Sequence, residues 1–245
     1  MLRIVDLNLT FGGLRALANL SLEVRRGEFF GIIGANGAGK TTLLNVITGY
    51  LRPTAGQIEF EGKRIDGLPP YMIAHRGVGR TFQIAQPFAE MSVLDNVMTG
   101  ALFSREGLRR SLAEARAACA EPLEVVGLTA LADLPADSLT LGAKKKLELA
   151  RALATGPRLL LLDEVMGGLN RDEVDDLMQA LRRIHAAGTT IVMIEHLVHV
   201  IVALAQRVIV LNFGSKLYEG LPQAAIAHPE VIEAYLGLPA EQVSR

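Results

Sequence analysis

The chain has a single cysteine, no long uninterrupted apolar run and almost no net charge. With Cys119 alone, no disulfide can form within the chain. A reducing compartment fits, and Cys119 reads as a small apolar helix residue. The greasiest stretch, 189–213, is interrupted by Glu195, His196, His199, Gln206 and Arg207, so it offers no clean membrane span. A net charge of −1 gives no global basic field, and nucleic acid is not an expected partner. The start, MLRIVDLNLTFGG, carries an acid at Asp6 and no long apolar segment, so no signal peptide is expected. No internal repeat and no low-complexity linker is found.

What is present fits a globular chain. Apolar residues make up 50% and charged residues 21% of the 245 positions, enough for a sizeable core in one large domain or a domain with a subdomain. Leu2–Thr10 reads as a strand, and Leu20, Leu22 and Val24 alternate with polar residues. Phe29–Ile33 is a short apolar run bounded by glycines, as a strand buried on both faces should be. A helix is expected over 40–50, and a hairpin over 57–65 around Glu61-Gly62. From residue 88 to 154 the pattern turns helical: Ser92 followed by Asp95 predicts a capping box, and 109–126 is rich in Ala, Leu, Arg and Glu. Strand and helix then alternate: strand 159–162, helix 171–186, strand 190–194, helix 197–205, strand 207–212, a hairpin at 213–218 and short helices over 222–236. Such alternation predicts an α/β fold with a mostly parallel sheet.

Residues 34–42, GANGAGKTT, match G-x-x-x-x-G-K-[ST] through Gly34, Gly39, Lys40 and Thr41, between a buried strand and a helix. Glycines let backbone N–H groups turn towards a phosphate, and the helix N-terminus adds positive potential. Lys40 should reach the β- and γ-phosphates, and the Thr41 hydroxyl should ligate Mg²⁺.

LLLLDE at 159–164 ends an apolar strand in two carboxylates, at the edge where open α/β sheets hold ligands. Asp163 is placed to hold Mg²⁺ and Glu164 to orient or deprotonate water. VGRTFQ places Gln83 at an apparent strand end, where its amide could touch Mg²⁺ or water. IVMIEH places His196 at another strand tip, within possible reach of a γ-phosphate. The spacing of His196 and His199 lacks a third ligand for a metal. His75, His185 and His228 carry only a surface reading.

SLTLGAKKKLELARAL, at 138–153, offers a second set of phosphate-binding features: a hydroxyl at Thr140, a glycine at Gly142 and a helix N-terminus. Lys144–Lys146 point in different directions, so at least two of them are expected on a solvated face.

Taken in order, these segments resemble the ATP-binding cassette family over Phe11 to Gly237. GANGAGKTT resembles its Walker A motif, TFQ the Q-loop, LTLGA the signature, LLLLDE Walker B, GLN at 168–170 the D-loop and IEH the H-loop. The resemblance implies a P-loop NTPase (RecA-like) core with an N-terminal antiparallel β subdomain and an inserted α-helical subdomain. Residues 1–245 would be one ATPase domain, with 1–87 and 155–245 as the core and 88–154 as the helical subdomain. ATP and Mg²⁺ are implied. Phe11, Gly34, Asn36, Gly37, Ala38, Gly39, Lys40, Thr41, Thr42 and Gln83 are expected at the nucleotide, and Thr41, Gln83 and Asp163 at the metal. Glu164, His196 and Lys40 would be catalytic. Thr140, Leu141, Gly142 and Asn170 would face a nucleotide held by a second cassette. Three positions depart from the family pattern: Thr140 replaces serine, Ala143 often glutamine and Asn170 often aspartate.

FGGLRAL, GRTFQIAQPFAEMSVLDNV, GLNRDE and HPEVIEAYLG are similar to the longer cassette subunit of branched-chain amino-acid importers. That branch implies an identical or paralogous partner cassette, two membrane permeases and, indirectly, a solute-binding protein. The chain would lie peripherally on the cytoplasmic face of the inner membrane, with a groove beside Gln83 receiving a permease helix. Urea, amide, aromatic-acid or lipopolysaccharide systems, or a non-transport P-loop ATPase, remain alternatives.

Overall fold

A computed structural model describes residues 1–84, 86–104 and 111–236. Ala85 in the Q-loop stretch, residues 109–110 of the helical stretch and Gly237 lie outside the described residues. The chain divides into two compact units, residues 1–70 with 192–245, and residues 71–191.

The first unit opens with an antiparallel hairpin of β1 (Leu2–Phe11) and β2 (Leu14–Val24). Leu2, Ile4, Leu7 and Leu9 are buried. The inward phase survives the three-residue step from Ile4 to Leu7 because the register shifts there and Asp6 adopts φ 47°. β3 (Phe29–Ile33) is buried along its whole length. α1 (Lys40–Ile47) ends earlier than expected, because Gly49 takes φ 77° and donates to the Val46 carbonyl. β4 (Ala55–Phe60) and β5 (Lys63–Arg64) form the expected hairpin. Its turn residues Glu61 and Gly62 have φ 50° and 75°, the positive pair that a two-residue hairpin turn demands. The resulting antiparallel sheet runs β2-β1-β4-β5.

In the second unit, α2 (Pro70–His75) precedes β6 (Val78–Arg80), then α3 (Val93–Leu102), α4 (Leu112–Ala117) and α5 (Ala120–Val126). The helix-favouring stretch 109–126, so far as it is described, holds two helices that part at Ala118–Cys119. Cys119 is fully buried and its thiol donates to the Ala115 carbonyl. Ser92 caps α3 through the Asp95 N–H at 3.0 Å, but the Asp95 carboxylate accepts from the Ser92 hydroxyl instead of the backbone. Aspartate is one methylene shorter than the glutamate of a full capping box. α6 (Leu141–Ala154) packs against α3 and α5. β7 (Leu159–Asp163), buried throughout, pairs in parallel with β6. α7 (Arg171–Ala186) follows, with its apolar residues, Val174, Leu177, Leu181 and Ile184 among them, on one buried face.

β8 (Thr190–Ile194) returns the chain to the first unit. There α8 (Val198–Leu204) leads into β9 (Arg207–Asn212), parallel to β3, and β10 (Ser215–Gly220), antiparallel to β9. α9 (Pro222–Ile226) and α10 (Pro229–Leu236) close the described chain. The fold class is therefore α/β as expected, with one antiparallel sheet, the parallel pairs β3–β9 and β6–β7, and the antiparallel pair β9–β10. Among the described residues no helix is long and apolar enough to cross a membrane.

Candidate functional site

In the first unit, β3 delivers the chain into the loop 34–39 and α1 begins at Lys40. Gly39 stands at the N-cap with φ 98° and supplies no side-chain cap. A Cβ there would lie 2.7 Å from the Ala16 carbonyl oxygen, so only glycine lets the loop seat against β2. The Gly214 N–H donates to the Ala38 carbonyl at 3.0 Å, tying the loop to the β9–β10 turn. Lys40 is buried, and its ammonium donates to the carbonyls of Gly34 (2.8 Å) and Ala35 (3.1 Å). Asn36 and Gly37 are exposed on the loop, Ala38 is buried, Thr41 is exposed and Thr42 half-buried.

These features fit a phosphate. The first-turn N–H groups of a helix have no acceptor within it. Where α3, α6 and α7 place Ser92, Thr140 and Asn170 as caps, α1 places glycine. Phe11 is 47% exposed at the end of β1, opposite Leu14. It is therefore not a core residue. His196 is also exposed, just past β8, and its N–H donates to the carboxylate of buried Glu195.

The second unit gathers the acidic strand end. Asp163 is the last residue of β7, 1% exposed, and its Oδ2 accepts from Arg80 at 3.0 Å. Thr81 sits behind it, accepting from the Asp163 N–H. β6 ends at Arg80, so Gln83 is not at a strand end as expected. One further bond, from the Thr81 N–H to the Leu161 carbonyl, extends the ladder before the chain leaves it. Gln83 instead reaches back from this loop, and its amide donates to the Glu164 carboxylate at 2.7 Å. Glu164 has φ 51°, a left-handed backbone that is uncommon away from glycine.

Arg80 and Lys145 were not anticipated. Lys145 is buried and donates to the Glu164 carbonyl at 3.2 Å. Lys144 donates to the Asp137 carbonyl and Lys146 pairs with Asp176. Lys144 and Lys146 thus keep a partly solvated face, as expected for two of the three, and Lys145 alone of them turns inward, to the strand end. Glu148, one turn beyond Lys145, accepts from the Phe82 N–H. Burial pushes its carboxyl above the ordinary range, against the pull of that N–H and of Arg151.

The signature stretch is built as a helix start. Thr140 caps α6, accepting from the Ala143 N–H at 3.3 Å, while Leu141 is half exposed. A Cβ on Gly142 would lie 2.4 Å from the Glu173 carboxylate. Asn170 caps α7 in a full capping box with Glu173, both bonds 3.0 Å. Its substitution for aspartate is therefore a good cap in its own right.

The donor types fit Mg²⁺ as well. Among the described residues no cluster of three or more His, Cys, Asp or Glu could hold a metal. Thr41 in the first unit and, separately, Gln83 and Asp163 in the second carry hard oxygens of the kind Mg²⁺ prefers.

Residues 17–167 match the family model described as ABC transporter. The chain is 38% identical over 249 residues to the high-affinity branched-chain amino acid transport ATP-binding protein BraF of Pseudomonas aeruginosa, covering 97% of this chain and 98% of that one. It is similar to the crystal structure of a nucleotide-free ATP-binding cassette from an ABC transporter, at TM-score 0.88 and 31% identity, over 97% of this chain and 99% of the other. A dimeric post-hydrolysis cassette bound to ADP and Pi matches at TM-score 0.80 and 26% identity, over 91% of this chain and 99% of that one.

Proposed function

This chain belongs to the ABC transporter family, and on that premise we propose that it is the ATP-hydrolysing cassette subunit of an importer for branched-chain amino acids or related small polar solutes. The observation that carries the catalytic reading is the Gln83–Glu164 contact at the end of β7, beside buried Asp163. The cargo class rests on the likeness to BraF.

In this reading Lys40 and the N–H groups opening α1 bind the β- and γ-phosphates, and Phe11 stacks on the adenine. Thr41, Gln83 and Asp163 would hold Mg²⁺, which would supply neutralisation of phosphate charge. Glu164 accepts the proton of the attacking water, and Gln83 fixes where that carboxylate points. His196 donates to the γ-phosphate. Thr140, Leu141, Gly142 and Asn170 serve a nucleotide bound by a facing cassette, identical or paralogous; the dimeric cassette among the similar structures supports such pairing. Closure and reopening of the pair move two permease subunits, one helix of which docks in the groove beside Gln83, where the helical subdomain 88–154 joins. A peripheral place on the cytoplasmic membrane face follows, with a solute-binding protein acting on the far side.

Vesicles carrying the assembled transporter test the reading. ATP inside should drive uptake of radiolabelled leucine with the wild-type chain and not with Lys40→Ala. Uptake that survives Lys40→Ala would remove the ATPase role. Intact ATP hydrolysis with no uptake of any branched-chain amino acid would reassign the cargo.

A further inference from the structure

We propose that Lys145 is a positioning residue that holds the backbone of Glu164 and so ties the signature helix to the water-activating carboxylate of the same chain. The inference rests on the reading of Glu164 given above.

The geometry is specific. Glu164 follows the last residue of β7 and turns the chain through φ 51°. An L-residue leaves this region readily unless its surroundings hold it. Its carbonyl accepts from the Gly167 N–H at 3.3 Å and from the Lys145 ammonium at 3.2 Å. Its carboxylate accepts from Gln83. The Gly167 bond spans only three residues and forms within the turn itself. Lys145 restrains that carbonyl from outside the turn, coming from α6 rather than from the segment that Glu164 belongs to.

Lys145 is also costly to place there. It is 8% exposed, and an ammonium buried against a backbone carbonyl gives up hydration that a neutral residue would not have to lose. Glu148, one turn along α6, feels its charge and helps to balance it. Thr140 and Gly142 open the same helix five and three residues earlier. A rigid helix therefore carries the signature face at one end and a lysine gripping Glu164 one and a half turns on. Whatever tilts α6 when a facing nucleotide reaches Thr140 and Gly142 shifts the Glu164 carbonyl with it, and the carboxylate pivots on that backbone.

Single-turnover ATP hydrolysis by the assembled transporter tests this. Lys145→Met keeps the apolar stem and removes the donor; it should lower the rate at saturating ATP at least about tenfold while KM for ATP stays within about twofold. Lys145→Arg keeps a donor and should restore most of the rate. In a Glu164→Gln background, Lys145→Met should add no further loss. Wild-type rate in Lys145→Met, a rise in KM alone, or equal defects in Lys145→Met and Lys145→Arg would each overturn the proposal. If Lys145→Met does not fold, Lys145→Leu carries the same test. Wild-type turnover by Glu164→Gln would bring down the reading of Glu164 itself; a dead Glu164→Gln beside an undisturbed Lys145→Met would bring down only the role of Lys145.

Discussion

The Gln83 amide donates to the Glu164 carboxylate across 2.7 Å, linking the loop after β6 to the residue after β7. A carboxylate accepting a fixed amide proton has its orientation set by that bond. Glu164→Gln keeps the shape of this pair but removes the base. It should bind ATP normally and turn over at least about a hundredfold more slowly. A single-turnover rate near wild type in the assembled transporter would take Glu164 out of the base role.

Arg207 holds the first unit together from within. Its guanidinium donates to both carboxylate oxygens of Glu28, to Glu219 and to the Glu23 carbonyl, and lies 4.8 Å over the Phe30 ring. Burial alone would raise the Glu28 carboxyl, but the bonds from Arg207 and the Arg25 N–H together hold it below the ordinary range. Its contribution to stability is therefore present above the unfolded carboxylate pKa and is lost as pH falls through the lowered folded value. Arg207→Met strands the buried Glu28 charge and should cost about 3 kcal/mol at neutral pH. The cost should shrink on acidification, as Glu28 in the variant takes up its proton. Urea unfolding of both chains at neutral and acid pH measures this; a difference that does not change with pH would contradict it.

Asn170 and Glu173 close a capping box at the start of α7. Asn170→Ala should destabilise the chain by about 1 kcal/mol. Asn170→Asp should be neutral or slightly stabilising, since a carboxylate caps as well and favours the positive helix end. Thermal melts of the two variants separate these outcomes, and a melt of Asn170→Ala indistinguishable from wild type would show that the cap carries no weight.

Much of this was legible in the sequence because local chemistry and tertiary structure agree. Phe29–Ile33, Arg171–Ala186, Thr190–Ile194 and Arg207–Asn212 fold with the limits read from their patterns, since continuous apolar runs and a capped amphipathic helix leave few alternatives. The strand, glycine-rich loop and helix start around Gly34–Lys40 were legible for the same reason. Gln83 was misplaced because β6 is only three residues long and its ladder stops at Thr81, which no periodicity can announce. The break between α4 and α5 was missed because Ala and Cys carry no stop signal; the buried Cys119 thiol bonds back to Ala115 instead. Lys145 was missed because three lysines in a row look alike, and only the neighbours brought by α7 and the end of β7 tell them apart. Arg80 left a trace that could have been used: a cation at the end of a short apolar strand needs a buried anion, and Asp163 is one.

The ammonium of Lys40 already rests on two carbonyls of its own loop. If the loop takes a phosphate as proposed, Lys40 must give up partners it already has, rather than meet the anion as a bare cation in solvent. Part of the enthalpy of that contact is spent in the swap, and the calorimetric heat of nucleotide binding should be smaller than a tally of the bonds formed would give. In return, the cradle is held in shape between one turnover and the next.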